Sequence, residues 1–251
     1  MPAKKRLILL SAAAALCLGA IGVLAGIHFF ATGGKVGGYG LRVYSIAQAS
    51  SSHPGYLRNT MTSGNDVYVN DYEEAALQLA NPEPTKVVAL KGNFGYSKVC
   101  AIEGQPTTAY VAGDDGSEMP AFAVYRHNGQ PPFEWRAATF REMTLYAPTA
   151  SNSGLKTTDP ALLTEVLTLL RDGTSVSLPG ISMVNAASMV KLQMASDQLP
   201  GLLFCPVLRT GPDGTLYLAE SLMLDLTVTP PLFHANWIPA SPKLTQWLQS
   251  R

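Results

Sequence analysis

An uninterrupted apolar segment near the N-terminus constrains this 251-residue chain more than any other feature of its sequence. The first six residues, MPAKKR, are basic, and residues 7–31 contain no Asp, Glu, Lys or Arg. As a helix, a segment of that length extends about 37 Å, which exceeds the roughly 30 Å of a bilayer's hydrocarbon core. The sequence therefore predicts a transmembrane helix that begins at Leu7 and ends at Ala31.

The charges around this segment predict its orientation. Lys4, Lys5 and Arg6 precede it, whereas only Lys35 and Arg42 follow closely, so the positive-inside rule places the N-terminus in the cytoplasm. A cleavable signal peptide is the alternative, because it shares the basic start and the apolar run. The run is, however, longer than the roughly 7–15 residues usual in signal peptides. Both interpretations export the rest of the chain, and they differ in whether it stays attached to the membrane.

The rest of the chain predicts a spacer and one folded domain. Residues 32–40, TGGKVGGYG, are rich in glycine and lack hydrophobic periodicity, which is typical of a flexible spacer. The predicted organisation is a cytoplasmic tail (1–6), a transmembrane helix acting as a signal anchor (7–31), the spacer (32–40) and an extracytoplasmic domain (41–251). Three of the 18 Lys and Arg residues precede the apolar run, which leaves 15 against 18 Asp and Glu. This balance excludes strong electrostatic binding of nucleic acid.

Short runs of β-branched and aromatic residues between turn sequences predict many strands. The clearest pattern covers residues 222–228, where every second residue is Leu or Val, as expected for a strand with one apolar face. Residues 211–214, GPDG, predict a hairpin turn within 208–218. Residues 113–116, GDDG, predict a second hairpin turn.

Three segments carry helix start signals. Asp159 and the proline after it precede apolar residues at helical spacing up to residue 172, and Ser241 with its following proline starts a shorter helix. Asp71 with Glu74 resembles a capping box, for a short helix that ends at residues 81–82. Strands on both sides of a central helix, joined by hairpins, predict an α+β domain of mainly antiparallel sheet with a few short helices.

The sequence predicts no catalytic, cofactor-binding or metal-binding residue. It lacks the G-x-S-x-G, H-E-x-x-H, phosphate-loop and G-x-G-x-x-G motifs. His53, His127 and His234 have no second metal ligand two to five residues further on, so no local zinc pair forms. His28 lies near the outer end of the apolar run and is interpreted as an interfacial residue. No cofactor is therefore expected.

Cys100 and Cys205 are the two cysteines of the exported part. In an oxidising compartment they are disulfide candidates, and a bridge would close a loop of about 100 residues, worth about 4–5 kcal/mol. Two buried free thiols are the alternative, because cysteine packs well as a small apolar side chain. A catalytic thiol needs a neighbouring base; His127 or His234 could approach through the fold, but no local pattern indicates it.

These features predict where the protein is located but do not predict a specific biochemical activity. The leading hypothesis is a membrane-anchored extracytoplasmic protein that acts as a non-catalytic binding or assembly module at the cell envelope. Its expected partners are the lipid bilayer, through the N-terminal helix, and a protein or envelope polymer, with no nucleic acid. The alternative is an envelope hydrolase or transferase that uses Cys100 or Cys205 with His127 or His234.

Overall fold

The computed structural model describes residues 41–53, 57–92, 97–114, 122–147, 154–182, 185–186, 189–225 and 229–250. The predicted tail, transmembrane helix and spacer, with the helix ends Leu7 and Ala31, lie outside the described residues. In the described ranges, no helix combines the length and apolar character needed to cross a membrane.

Eighteen strands and three helices make up the described part of the chain. The helices are α1 (Tyr72–Ala75), α2 (Pro160–Asp172) and α3 (Pro242–Gln249), with a 3-10 turn at Trp135–Ala137. In chain order the strands are β1 (Arg42–Ser50), β2 (Leu57–Ser63), β3 (Asp66–Asn70), β4 (Leu77–Leu79), β5 (Val87–Lys91), β6 (Ser97–Ala101), β7 (Tyr110–Asp114), β8 (Phe122–His127), β9 (Glu142–Tyr146), β10 (Lys156–Thr157), β11 (Ile181–Ser182), β12 (Val190–Ala195), β13 (Leu202–Phe204), β14 (Val207–Thr210), β15 (Leu216–Ala219), β16 (Met223–Asp225), β17 (Leu232–His234) and β18 (Ile238–Pro239).

Seven strands close into a barrel in the order β1-β2-β3-β8-β7-β6-β5. All neighbouring pairs are antiparallel except β1 with β5, which is parallel and pairs Arg42 with Ala89 and Tyr44 with Lys91. An odd number of strands requires such a pair, because a direction that reverses at every step cannot return to its start after seven steps. The parallel pair is therefore the seam that closes the barrel.

Alternate residues of the barrel strands face two different cores, as the two-residue period of a strand requires. Val99 on β6 and Tyr125 on β8 lie in a cluster formed by barrel strands alone, together with the fully buried Met61. Their neighbours Cys100 and Val124 belong instead to the main core of the molecule. The outer face of the barrel thus forms one wall of that main core.

Most of the remaining strands form an eight-stranded sheet in the order β10-β9-β12-β14-β15-β18, with β13 and β4 joined at β12. On β14 and β15, the paired residues Leu208 and Leu218 face the main core, whereas Val207 and Ala219 face a smaller one. Helices α2 and α3 contribute to the main core. The three-stranded sheet β11-β17-β16 contributes to the smaller core on the opposite face.

Two of the helix predictions are confirmed together with their caps. Asp159 accepts a hydrogen bond from the backbone N–H of Ala161 at 2.9 Å, and Pro160 begins α2. Ser241 accepts one from the backbone N–H of Leu244 at 3.1 Å at the start of α3. Both caps satisfy a backbone donor that the first helical turn leaves without a partner.

The predicted α+β class is wrong, because the domain is mostly β and contains a closed seven-stranded barrel. Hairpin turns indicate antiparallel sheet, but the seam between β1 and β5 joins segments that are far apart in sequence. Local sequence patterns carry no signal for such a pairing. Helices are also too few beside the strands to form a separate layer of an α+β fold.

The structure confirms some of the local predictions of turns and strands and changes others. The hairpin at residues 211–214 is confirmed, since β14 and β15 pair on either side of it. The capping box of Asp71 and Glu74 is present, but α1 ends at Ala75 because Leu77–Leu79 pairs with β13 as a strand. The alternation at 222–228 gives the short strand β16, and residues 226–228 lie outside the described residues. Residues 115–121, which include part of the second predicted turn, lie outside them too.

Candidate functional site

The structure contains Cys100 and Cys205 as buried free thiols, which is the second of the two alternatives that the sequence leaves open. Cys100 lies on β6 in the barrel wall, and Cys205 lies between β13 and β14. Burial raises the pKa of the Cys100 thiol, and it raises the pKa of Cys205 to about 12. Thiols of this kind stay protonated at neutral pH and are poor nucleophiles.

The histidines of the domain lie in three different places. His127 ends β8, where its ring meets Tyr68 edge to face with 5.2 Å between ring centroids. His234 lies on β17, with its Nε2 atom 3.7 Å from a carboxylate oxygen of Asp225. His53 follows β1 and lies near the carboxylates of Asp71 and Glu73. The contacts of the described residues place none of these histidines against either thiol.

His53 belongs to a group of side chains that we call the polar cluster, formed by Ser51, His53, Arg58, Asp71 and Glu73. The barrel register explains how it assembles. Residue 59 on β2 pairs with residue 48 on β1 and with residue 70 on β3, so the ends of these strands lie side by side. The loop after β1 and the start of α1 after β3 are thereby brought together at one end of the barrel.

Asp71 is held from two sides within the polar cluster. Its Oδ1 atom accepts hydrogen bonds from the Ser51 hydroxyl and from the backbone N–H of Tyr72, the latter at 2.8 Å. Its Oδ2 atom lies 3.9 Å from Nε of Arg58, which is beyond hydrogen-bonding distance. Oδ1 is therefore fixed by local contacts, while Oδ2 lies near the Arg58 guanidinium.

His53 and Glu73 complete the polar cluster. The His53 ring stacks on Tyr72 with 4.3 Å between centroids and 16° between planes, which fixes the plane of the imidazole. Its Nδ1 atom lies 3.8 Å from Oε1 of Glu73. That Nδ1 atom and Nε of Arg58 are both buried and have no hydrogen-bond partner. Because buried polar atoms are normally paired, these two need a specific explanation.

A buried ion pair supports the polar cluster from behind. Glu74 accepts a hydrogen bond from Nε of Arg126 at 2.6 Å, and its other oxygen accepts one from the backbone N–H of Asp71 at 3.0 Å. Burial raises the pKa of Glu74, and the hydrogen bond from Arg126 opposes this effect. The pair fixes α1 against β8, so the backbone that carries the carboxylates of Asp71 and Glu73 is held in place.

A second carboxylate ties this region to the eight-stranded sheet. Glu220, just after β15, accepts hydrogen bonds from the indole N–H of Trp135 at 2.7 Å and from Arg136 at 3.1 Å. Burial raises the pKa of Glu220, while Trp135 and Arg136 lower it. Burial also raises the pKa of Tyr72, and the nearby Glu220 carboxylate adds to that effect. The His53 ring thus stacks on a tyrosine that is itself held in place.

A separate cleft has a volume of about 960 Å³. We call it the cleft, and it is formed by residues between 79 and 86, by residues 101–107, and by Pro200 and Gly201. Among its described lining residues, Lys86 and Glu103 are the charged ones, and none is aromatic, histidine or cysteine. The cleft therefore offers a ligand a mostly uncharged surface of mixed polar and apolar residues.

Close loop approaches determine the shape of the cleft. Gly201 has φ of +76°, and a side chain on it would overlap the carbonyl oxygen of Glu103. Gly104 has φ of +79°, and a Cβ atom there would lie 2.9 Å from Cβ of Pro200. Gln105 reaches across and donates a hydrogen bond to the Pro200 carbonyl at 2.8 Å. These contacts fix one loop against the other without filling the space between them.

Sequence reasoning missed the polar cluster because its members are about 20 residues apart and come together only through strand pairing. The capping box at Asp71 was the one local signal available, and it indicates a helix start instead of a ligand site.

No family model, curated protein or solved structure matches this chain.

Proposed function

We propose that the chain is a membrane-anchored extracytoplasmic protein whose β-rich domain is a non-catalytic binding or assembly module. The cleft is the observation that carries this proposal. Its volume of about 960 Å³ is suitable for a ligand or a segment of a partner. Its described lining is mostly uncharged, with one charge of each sign, a composition that favours recognition over bond breaking.

The buried thiols also support a non-catalytic role. A hydrolase or transferase that used Cys100 or Cys205 would need an exposed thiolate beside a base. Both side chains are buried, and the pKa of each is raised by burial. We expect iodoacetamide to leave both thiols unmodified in the native, unreduced protein. Rapid modification of one of them at neutral pH would contradict the proposal and favour the catalytic alternative.

The anchored location rests on the basic tail and the apolar run of residues 7–31. The test uses the full-length chain with an epitope tag at its C-terminus, expressed in intact cells. External protease is expected to remove this tag and to spare an N-terminal tag placed before residue 1. A C-terminal tag that stays intact, while a known surface protein is digested, would refute the extracytoplasmic location.

The binding role of the cleft is testable by site-specific crosslinking in cells. A photoreactive amino acid at the exposed position Thr85 lies in the cleft, whereas one at the exposed position Lys98 lies on β6 outside it. We expect a discrete adduct to a protein or an envelope polymer from position 85 and none from position 98. Lys86→Glu, which reverses one of the two cleft charges, is expected to reduce that adduct several-fold. Equal adducts at both positions, or none at position 85, would refute a role for the cleft.

A further inference from the structure

We propose that the polar cluster is a binding site for a divalent first-row transition-metal ion such as Zn²⁺ or Mn²⁺, with His53, Asp71 and Glu73 as its ligands. One ligand atom from each of these residues lies within 4.8 Å of the other two. Donor atoms bound to one zinc ion at about 2.0–2.2 Å lie about 3.0–3.5 Å from one another. The 3.8 Å between Nδ1 of His53 and Oε1 of Glu73 needs to shrink by a few tenths of an ångström, and the pairs with Asp71, which lie within 4.8 Å, by about 1.3 Å at most.

The orientations of His53 and Asp71 are set by contacts that a metal ion does not have to replace. Stacking on Tyr72 fixes the His53 ring, and the α1 cap fixes Oδ1 of Asp71. The Ser51 hydroxyl holds the same Oδ1 atom, and Oδ2 lies 3.9 Å from Nε of Arg58. Such supporting contacts around the ligands are what gives metal sites their rigidity.

The Nδ1 atom of His53 is buried although the whole side chain is 41% exposed, and it also points to a ligand. It has no hydrogen-bond partner, although it lies against the carboxylates of the cluster. A neutral imidazole nitrogen is a lone-pair donor, and a metal ion would satisfy it. No other side chain of the described part reaches this nitrogen within hydrogen-bonding distance. Its pairing with two carboxylates makes a cation the matching ligand.

Charge and donor type indicate which cation would bind. Asp71 and Glu73 contribute two negative charges and Arg58 one positive charge, while Glu74 and Arg126 neutralise each other behind the cluster. One imidazole nitrogen with two carboxylate oxygens suits zinc and manganese better than magnesium or calcium, which prefer oxygen ligands alone. Three protein ligands leave a further position for water or for a group from a partner.

The test uses the full-length chain in detergent, freed of metal with EDTA and titrated with Co²⁺, whose visible absorption reports coordination. We expect one Co²⁺ to bind per chain, and Zn²⁺ to displace it. His53→Ala and Glu73→Gln are each expected to weaken Co²⁺ binding about tenfold or more. His53 and Glu73 are both partly exposed, so these variants are expected to keep the native far-ultraviolet circular dichroism and the wild-type urea midpoint.

Two further variants make the test specific. His234→Ala removes a histidine from a pair with Asp225 at 3.7 Å, a similar separation outside the cluster, and is expected to leave binding unchanged. Arg58→Gln removes the positive charge that opposes a cation, so it is expected to tighten binding. The proposal would be overturned by the absence of saturable binding, by unchanged binding in His53→Ala, or by equal weakening in His234→Ala. It is independent of the cleft, and its failure would leave the proposed binding function standing.

Discussion

Burial determines the chemistry of Cys205. Its pKa is raised to about 12 in the folded protein, whereas an unfolded cysteine has a pKa of about 8.5. Because the folded pKa is the higher one, the thiol's contribution to stability is fully present below about pH 8.5 and is lost as the pH rises towards 12. The folded state keeps its proton over this range while the unfolded state releases it.

Substitution of Cys205 isolates this effect. Between about pH 7.5 and pH 9.5, the free energy of unfolding of the wild type is expected to fall by about 1.4 kcal/mol more than that of Cys205→Ala. Urea unfolding followed by tryptophan fluorescence at both pH values provides the measurement. Val207→Ala, a nearby buried substitution without a thiol, is expected to retain the wild-type pH dependence. Identical pH dependence in the wild type and Cys205→Ala would contradict the prediction.

Two glycines separate backbone strain from steric overlap. Gly201 and Gly214 have φ of +76° and +79°, so alanine is strained at either position. A Cβ atom meets nothing within 4 Å at Gly214, but at Gly201 it overlaps the carbonyl oxygen of Glu103. We expect Gly214→Ala to reduce the free energy of unfolding by about 1 kcal/mol. Gly201→Ala is expected to cost about 3 kcal/mol or more, because overpacking adds to the strain.

Urea unfolding of these two variants checks the difference. The wild type and the two alanine variants are measured under the same conditions, and Gly214→Ala serves as the control for backbone strain. Equal losses of stability at the two positions would mean that the loops of the cleft can separate without cost. That result would contradict the close approach between Gly201 and Glu103.

At the scale of single elements, the stability of α3 depends on its N-terminal cap. Ser241 accepts the Leu244 N–H at 3.1 Å, and Leu244 is fully buried in the main core. Ser241→Ala is expected to lower the free energy of unfolding by about 1 kcal/mol. Ser241→Asp keeps an acceptor and places a negative charge at the helix N-terminus, so it is expected to restore most of that loss.

The opposite end of α3 supplies the control for this prediction. Ser250 is exposed at the C-terminal end and donates its hydroxyl to the Trp247 carbonyl. Ser250→Ala is expected to change the free energy of unfolding by less than about 0.5 kcal/mol. Thermal unfolding followed by circular dichroism measures all three variants. A larger loss in Ser250→Ala than in Ser241→Ala would contradict the role of the cap.

The elements predicted correctly are those whose signals lie within a few residues. The starts of α2 and α3 and the turn at 211–214 depend on a cap, a proline or a glycine next to the element itself. The seam between β1 and β5 depends on pairing between distant segments, so no local residue pattern specifies it. For the same reason, no local pattern indicates the proposed ligands in the polar cluster, because His53 meets Asp71 only after three strands have paired.

The early end of α1 shows a related limit. The capping box at Asp71 specifies where this helix begins, but pairing of Leu77–Leu79 with β13 determines where it ends. Tertiary hydrogen bonds thus override the local helical preference of the residues that follow Glu74. Likewise, alternation over residues 222–228 indicates extended structure, but the partner strand β17 is set by the fold.

At the scale of the whole molecule, the barrel and the eight-stranded sheet share one core. Cys100 and Val124 on the barrel wall belong to the same cluster as Leu192 and Leu218 of the sheet. Loss of the barrel would expose one side of this cluster to water, at about 25 cal/mol for each Å² of apolar surface. We therefore expect the described domain to unfold as one cooperative unit and not as two independent parts.

A substitution inside the barrel tests this cooperativity, because all three tryptophans of the chain, Trp135, Trp237 and Trp247, lie outside the barrel strands. Met61 is fully buried among barrel residues, so Met61→Ala is expected to lower the free energy of unfolding by about 2–5 kcal/mol. Tryptophan fluorescence and far-ultraviolet circular dichroism should then shift to the same lower urea midpoint, as they coincide in the wild type. An unchanged fluorescence midpoint beside a new early step in circular dichroism would show that the barrel unfolds alone. In that case the contacts between the barrel wall and the sheet would contribute little to the stability of either.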